Sequence, residues 1–259
     1  MATDSVISGT VGADRGIHVP QERLFELTLC TFDMQETVAY LDGVLQSGGS
    51  KVLFTANVDH VVRHSNDSDF RRCYQVADLV FADGMPLMWA ARLLRRSVRA
   101  RVTGVDLMAA LCSLAAKRGY RCFLLGSKEE TLDKACRALQ QRFPSIQIAG
   151  THHGYFDDSS PVLELVRQAR PHFLFVGMGS PRQEKWIAQH RSQLSGVILP
   201  VGGSFEVIAG EKKRAPRWAQ RLGLEWTWRL AQDPRRLWKR YLLEDLVFLK
   251  LLLRELRSR

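Results

Sequence analysis

A chain of 259 residues, 46% hydrophobic and 25% charged, holds enough apolar material for one large α/β domain with an appendage and too much to stay disordered. No window offers the roughly 18 uncharged apolar residues of a spanning helix, and Asp4, Asp14 and Arg15 break the N-terminal segment where a signal peptide needs an apolar run. Five cysteines, odd in number and without a CxxC pair, argue against a disulfide framework or a thiolate zinc site and for free thiols in a reducing cytosol.

The net charge of +10 is unevenly placed: residues 211–259 hold 14 Lys and Arg against 6 Asp and Glu, a net of +8. Trp218, Trp226, Trp228 and Trp238 fall in the same stretch. A basic, aromatic tail behind a nearly neutral body points to an anionic partner at one end.

In chain order, residues 1–24 are polar and turn-rich and read as a loose arm, followed by an α/β body over residues 25–210. Residues 52–55 predict an apolar strand ending at Thr55-Ala-Asn57, then a helix to about residue 75. A strand over 78–81 leads into Ala82-Asp83-Gly84, and a helix over 85–94 carries Pro86 in its first turn. After a turn at 101–106, Asp106 caps a helix reaching residue 117. Strands over 121–125, 146–149, 172–176 and 197–201 alternate with helices over 129–143, 161–169 and 182–193. Short linkers and continuously apolar strands predict a mostly parallel, Rossmann-like sheet with helices on both faces. Beyond residue 210 the composition changes, which marks a boundary and a basic amphipathic helical appendage over residues 211–259.

In such a sheet, ligands bind beyond the carboxyl ends of the strands. Thr55, Asn57, Asp83 and Ser127 sit there, with the turns at Gly177 and at Gly202-Gly203. Singly each reads as a turn residue or cap; together on one edge they predict a site. The turn Gly177-Met-Gly179-Ser-Pro181 suits a phosphate at a helix N-terminus, with Pro181 at the first helical position. It lacks the third glycine and the ribose-binding acid of a dinucleotide fingerprint. Asp83 suits a general base or a helix cap, and Arg101 a diphosphate partner or a solvated surface charge. His152 and His153 are adjacent, so in an extended segment their side chains point apart, Asp157-Asp158 reads as a turn, and no DxD follows a strand, so no metal and no cofactor are expected.

Residues 235–259 interleave Leu, Trp, Tyr and Phe with basic side chains, the pattern of a helix lying in an anionic membrane interface. The alternative is a core-packing helix with a solvated basic face. Two rival functions use the same features: a nicotinamide-dependent oxidoreductase, from the βα alternation and Gly-rich turn, and a nucleic-acid binder, from the basic tail. The missing glycine and acid weigh against the first, and the dense apolar residues of the tail against the second.

Several ordered motifs are similar to those of the WecG/TagA/CpsF glycosyltransferases. They are Thr55-Ala-Asn57, Ala77-Asp-Leu-Val-Phe-Ala-Asp-Gly84, Arg101-Val-Thr-Gly-Val-Asp106 and Gly177-Met-Gly-Ser-Pro-Arg-Gln-Glu-Lys-Trp186. The likeness continues through Val201-Gly-Gly-Ser-Phe-Glu206, Arg214-Ala-Pro216, Gly223-Leu-Glu-Trp-Thr-Trp-Arg-Leu230 and Asp233-Pro-Arg-Arg236. The resemblance implies an inverting, metal-independent transfer from a UDP-sugar to an undecaprenyl-diphosphate-linked saccharide at the cytoplasmic face of a membrane. It makes Asp83 the base and places Thr55, Asn57, Arg101 and Gln183 at the sugar pocket. Ser127, Gly177, Gly179, Gly202, Gly203 and Glu206 fall at the nucleotide edge. Arg229, Arg236 and Lys239 of the appendage fall at the diphosphate. The donor sugar, glucose, N-acetylmannosamine or its uronic acid, stays open, as does pairing with a second copy.

Overall fold

The protein is seen in a computed structural model that describes residues 19–221, 223–232 and 234–257; the side chains of residues 217, 221, 229 and 234–245 lie outside the description. The chain enters on an antiparallel hairpin, β1 (Gln21–Leu24) and β2 (Leu27–Cys30). Residues 21–24, expected to belong to a loose arm, are thus a strand, and residues 1–18 of that arm lie outside the described residues. Leu24, Leu27 and Leu29 are buried, and the hairpin is tied down through them. Helix α1 (Met34–Gln46) starts on a capping box in which Asp33 and Glu36 each bond the other's backbone N–H, at 2.9 and 2.8 Å.

Six strands then form an all-parallel sheet. In chain order the body contains β3 (Lys51–Ala56), α2 (Val58–Asn66), α3 (Ser68–Cys73), β4 (Leu79–Ala82), α4 (Met85–Leu93), α5 (Gly104–Arg118), β5 (Arg121–Gly126), α6 (Glu129–Arg142), β6 (Gln147–His152), α7 (Ser160–Ala169), β7 (Phe173–Gly177), α8 (Arg182–His190), β8 (Val197–Pro200) and α9 (Ser204–Ile208). The strand order is β4-β3-β8-β7-β5-β6. Successive strand residues face opposite sides, so the continuously apolar strands feed two cores. Val52 and Phe54, Phe123 and Leu125, and Leu174 and Val176 point to one core, closed by the hairpin, α2, α4, α7 and α8. Leu53, Phe81, Leu124 and Phe175 point to the other, under α1, α5, α6 and α9.

Some boundaries differ from expectation for local reasons. The long helix expected up to residue 75 breaks at Asp67, whose side chain accepts from Asp69 and Phe70 N–H and starts α3. Thr103, not Asp106, caps α5; Asp106 sits in its first turn and its own N–H donates to Thr103 Oγ1. Pro181 occupies the cap position before α8 and not the first helical residue.

The tail folds as α10 (Arg217–Arg221), α11 (Glu225–Gln232) and α12 (Pro234–Arg257). The C-terminal half of α12 packs on the body: Phe248 is buried, edge-on to Phe25 at 5.3 Å, with Leu251, Leu252 and Leu256 beside it. Arg96 and Glu255 pair at 3.5 Å. Leu246, Leu249 and Leu253 stay exposed. Among the described residues, no helix is long and apolar enough to cross a membrane.

Candidate active site at the carboxyl edge of the sheet

The strand ends of β4, β3 and β8 carry one half of the site. Asp83 continues β4, its N–H donating to Ala56 O of β3 at 2.7 Å, and Val102 N–H donates to Ala82 O at 3.0 Å. These backbone bonds bring Thr55, Asp83 and residues 101–104 to one place. The half-buried Asp83 carboxylate accepts from Gly104 N–H, the first residue of α5, at 3.3 Å. A side chain on Gly104 would stand 3.4 Å from Thr55 Oγ1, so helix and strand end are in close contact. The positive end of α5 thus faces a carboxylate. Asn57 caps α2, its Oδ1 accepting from His60 N–H while its own N–H donates to His60 Nδ1.

The ends of β5, β7 and β8 carry the other half. Gly126 (φ +135°) could not bear a side chain, because a Cβ would lie 2.3 Å from the Gly177 backbone. Gly177 packs against the Phe205 ring, where a Cβ would come within 2.5 Å. Both glycines therefore serve strand-to-strand and strand-to-helix packing; Gly179 and Gly202, where an added Cβ would meet nothing within 4 Å, form the open rim, next to the exposed Gly203. Buried Ser127 donates to Glu206 Oε1 at 3.3 Å, and Glu206 Oε2 is shielded from solvent with no hydrogen-bond partner. That oxygen is a buried acceptor left without a partner among the described residues.

Gln183 links the halves differently from the expected donor-facing role. It is buried, its Nε2 donates to Glu184 Oε1 at 2.8 Å, and its Oε1 accepts from Gly202 N–H at 3.0 Å. Both ends of the amide are engaged within the protein, which makes it a brace for the Gly202 turn. Glu184 also lies 3.5 Å from His60 Nε2. Burial works against the Glu184 carboxylate, but His60 and Gln183 outweigh it and hold its carboxyl below the usual range.

Two ion pairs bring the tail to this edge. Arg101 meets Glu225 of α11 at 3.5 Å, both largely buried. Arg214 bonds Asp106 through Nη1 and Nη2, at 2.5 and 2.7 Å, and this hydrogen bonding holds the Asp106 carboxyl below the usual range. Asp83 and Glu225 also lie within the field of Arg214. Arg101 is therefore not a solvated surface charge: it is 17% exposed and paired with Glu225 at the edge. The side chains of Arg229, Arg236 and Lys239 lie outside the described residues. Arg214 and Asp106 are site members that the sequence does not place there: Asp106 reads as a helix cap, and Arg214 stands only within the family-like motif Arg214-Ala-Pro216. Among the described residues no three His, Cys, Asp or Glu side chains group as metal ligands; His152 ends β6, and its ring lies 4.5 Å from that of His153, so the two side chains do not point apart as expected.

The chain matches a family model described as glycosyl transferase WecG/TagA/CpsF over residues 22–259. It is 37% identical over 197 residues to proteins named N-acetylglucosaminyldiphosphoundecaprenol N-acetyl-beta-D-mannosaminyltransferase from Staphylococcus aureus strains MW2 and NCTC 8325 / PS 47, covering 75% of this chain and 76% of each relative. The protein of the same name from strain MRSA252 is equally similar.

Proposed function

The chain belongs to the WecG/TagA/CpsF family of glycosyl transferases, and on that premise we propose that it moves a sugar from a UDP-sugar, with inversion, onto a saccharide linked to a polyprenyl diphosphate. The observation that carries the reading is the half-buried Asp83 carboxylate at a strand's carboxyl end, fixed by Gly104 N–H. The acceptor hydroxyl attacks the anomeric carbon, its proton passes to Asp83, and the UDP leaves with the bonding electrons. Thr55 and Asn57 flank the sugar, while Glu206 Oε2 accepts from a ribose hydroxyl beside Ser127. Arg101, with Arg229, Arg236 and Lys239 of the tail, neutralises the leaving diphosphate. A nicotinamide-dependent reaction has no observation in its favour.

The relatives' names nominate N-acetylmannosamine as the sugar and N-acetylglucosaminyl-diphosphoundecaprenol as the acceptor. The protein works peripherally at the cytoplasmic membrane face, where the acceptor lipid resides. The supporting feature is α12, whose exposed Leu246, Leu249 and Leu253 lie at helical spacing beside exposed Lys250, Arg254 and Arg257. A UDP-release screen over a panel of UDP-sugars, with and without a short-chain polyprenyl-diphosphate N-acetylglucosamine, tests the reading. Acceptor-dependent release from UDP-N-acetylmannosamine is expected. Absence of acceptor-dependent release from every UDP-sugar refutes it.

A further inference from the structure

We propose that Arg214 and Asp106 form a clasp between the start of the C-terminal appendage and the first turn of α5, and that both are positioning residues for the Asp83 carboxylate. The proposal rests on the reading of Asp83 as the base. The pair joins segments 108 residues apart, across the compositional boundary at about residue 210. Its geometry is directional: two guanidinium nitrogens straddle one carboxylate, the fork arrangement that fixes angle as well as distance.

On the body side the clasp leads straight to the base. Asp106 Oδ2 accepts from Thr103 Oγ1 at 2.7 Å, and Thr103 Oγ1 accepts from Asp106 N–H at 3.2 Å. Thr103 caps α5, and the next residue, Gly104, donates its N–H to Asp83. On the tail side, residues 213–215 are where the appendage hangs. Lys213 O accepts from Trp228 Nε1 at 3.0 Å and from Gln232 Nε2 at 2.9 Å, and Ala215 O accepts from Gln220 Nε2 at 2.6 Å. Holding Arg214 thus holds α10 and α11, and with them Glu225, which meets Arg101. Where the tail docks, Gly104 N–H is set against Asp83; where it does not, the first turn of α5 loses its outer support. Misplacing a base by a fraction of an ångström lowers the rate of the step more than the binding of the donor.

The test uses the full chain with Arg214→Gln, Asp106→Asn, the double variant and Arg214→Lys. Transfer kinetics are measured, with amide hydrogen exchange over residues 213–232. The clasp predicts that either single change lowers kcat by about 10²-fold while KM for the UDP-sugar moves by no more than about threefold. The double variant should be no slower than the singles, since the pair acts as a unit. Lysine at 214 restores charge but not the fork and should recover only part of the rate. Exchange over 213–232 should quicken while the strands of the sheet stay protected. Losses that multiply in the double variant, full recovery with lysine, or unchanged exchange would each overturn the clasp. If wild type transfers the sugar and Asp83→Asn does so equally well, the base assignment fails instead. The exchange and the double-variant comparison still report on the clasp itself.

Discussion

Gln183 and Asp106 show what a side chain does once its partners are known. Gln183 lies beside the Gly-rich turn in sequence, which suggests a ligand contact, yet its amide joins Glu184 to the Gly202 N–H. Gln183→Ala leaves the Gly202 N–H without its partner and the buried Glu184 carboxylate with His60 as its remaining side-chain partner, at a cost of about 1–3 kcal/mol. Urea unfolding should show that loss together with weakened UDP binding; an unchanged midpoint would contradict the brace. Asp106 reads as a cap from its position, and its bond to Arg214, 108 residues on, has no local signal. The carboxyl is depressed below its ordinary 3.8 in the folded protein by that bond. A depressed folded value means the stabilisation is complete above the unfolded value and fades as pH falls through the folded one. Wild type should therefore exceed Asp106→Asn in stability at pH 6, and the gap should narrow as pH falls below about 4. A gap that does not shrink at all as pH falls from 6 to 2.5 would assign the difference to something other than this ionisation. Asp83 and Thr55, in contrast, were legible, because each ends an apolar strand and such ends line up on one edge.

Among elements, the hairpin and α12 are where sequence and structure part. β1 is four residues long and half exposed, with a pattern too short to stand out from a polar arm. It becomes a strand because Leu24, Leu27 and Leu29 close over the first core. In α12 the sequence offers an interfacial helix or a core-packing one, and the described half packs one face on the body and leaves an apolar and basic face exposed. Phe248 and Leu252 face the body, Leu246, Leu249 and Leu253 face outward, and basic residues follow beside them. Which apolar residues a helix buries depends on what it meets, here Phe25 of the hairpin. The two faces separate experimentally. Phe248→Ala should cost about 2–3 kcal/mol, below a central core position, and lower Tm by several degrees with liposome binding preserved. Changing Leu246, Leu249 and Leu253 together to Gln should leave Tm nearly unchanged and abolish flotation with anionic liposomes. Flotation that survives this triple change would mean that α12 is not the membrane contact. Cutting the chain near residue 244 removes both faces at once and confounds anchoring with stability.

Across the whole molecule, parallel strands rich in Val, Leu and Phe, joined by short linkers, require helices on both faces, and the six-stranded sheet follows. Strand order could not be read from the pattern, since it depends on which crossovers pack together. The sheet brings two groups of strand ends to a common edge, with Asp83 on one side, Glu206 and Ser127 on the other, and Pro200 O beside Gly104 between them. Onto this edge the tail adds Arg214 and Glu225, so the appendage completes the edge as well as extending from it. If arginine side chains neutralise the diphosphate, transfer should proceed in EDTA at an undiminished rate; loss on chelation, restored by Mg²⁺ or Mn²⁺, would show a metal requirement. The most direct measurement is single-turnover transfer of radiolabelled N-acetylmannosamine from its UDP-sugar to a short-chain polyprenyl-diphosphate N-acetylglucosamine, comparing wild type with Asp83→Asn, alongside calorimetric UDP binding. Wild type should move the label into the lipid fraction. Asp83→Asn should bind UDP normally and transfer at least about 10²-fold more slowly. Transfer by Asp83→Asn at the wild-type rate would contradict the account.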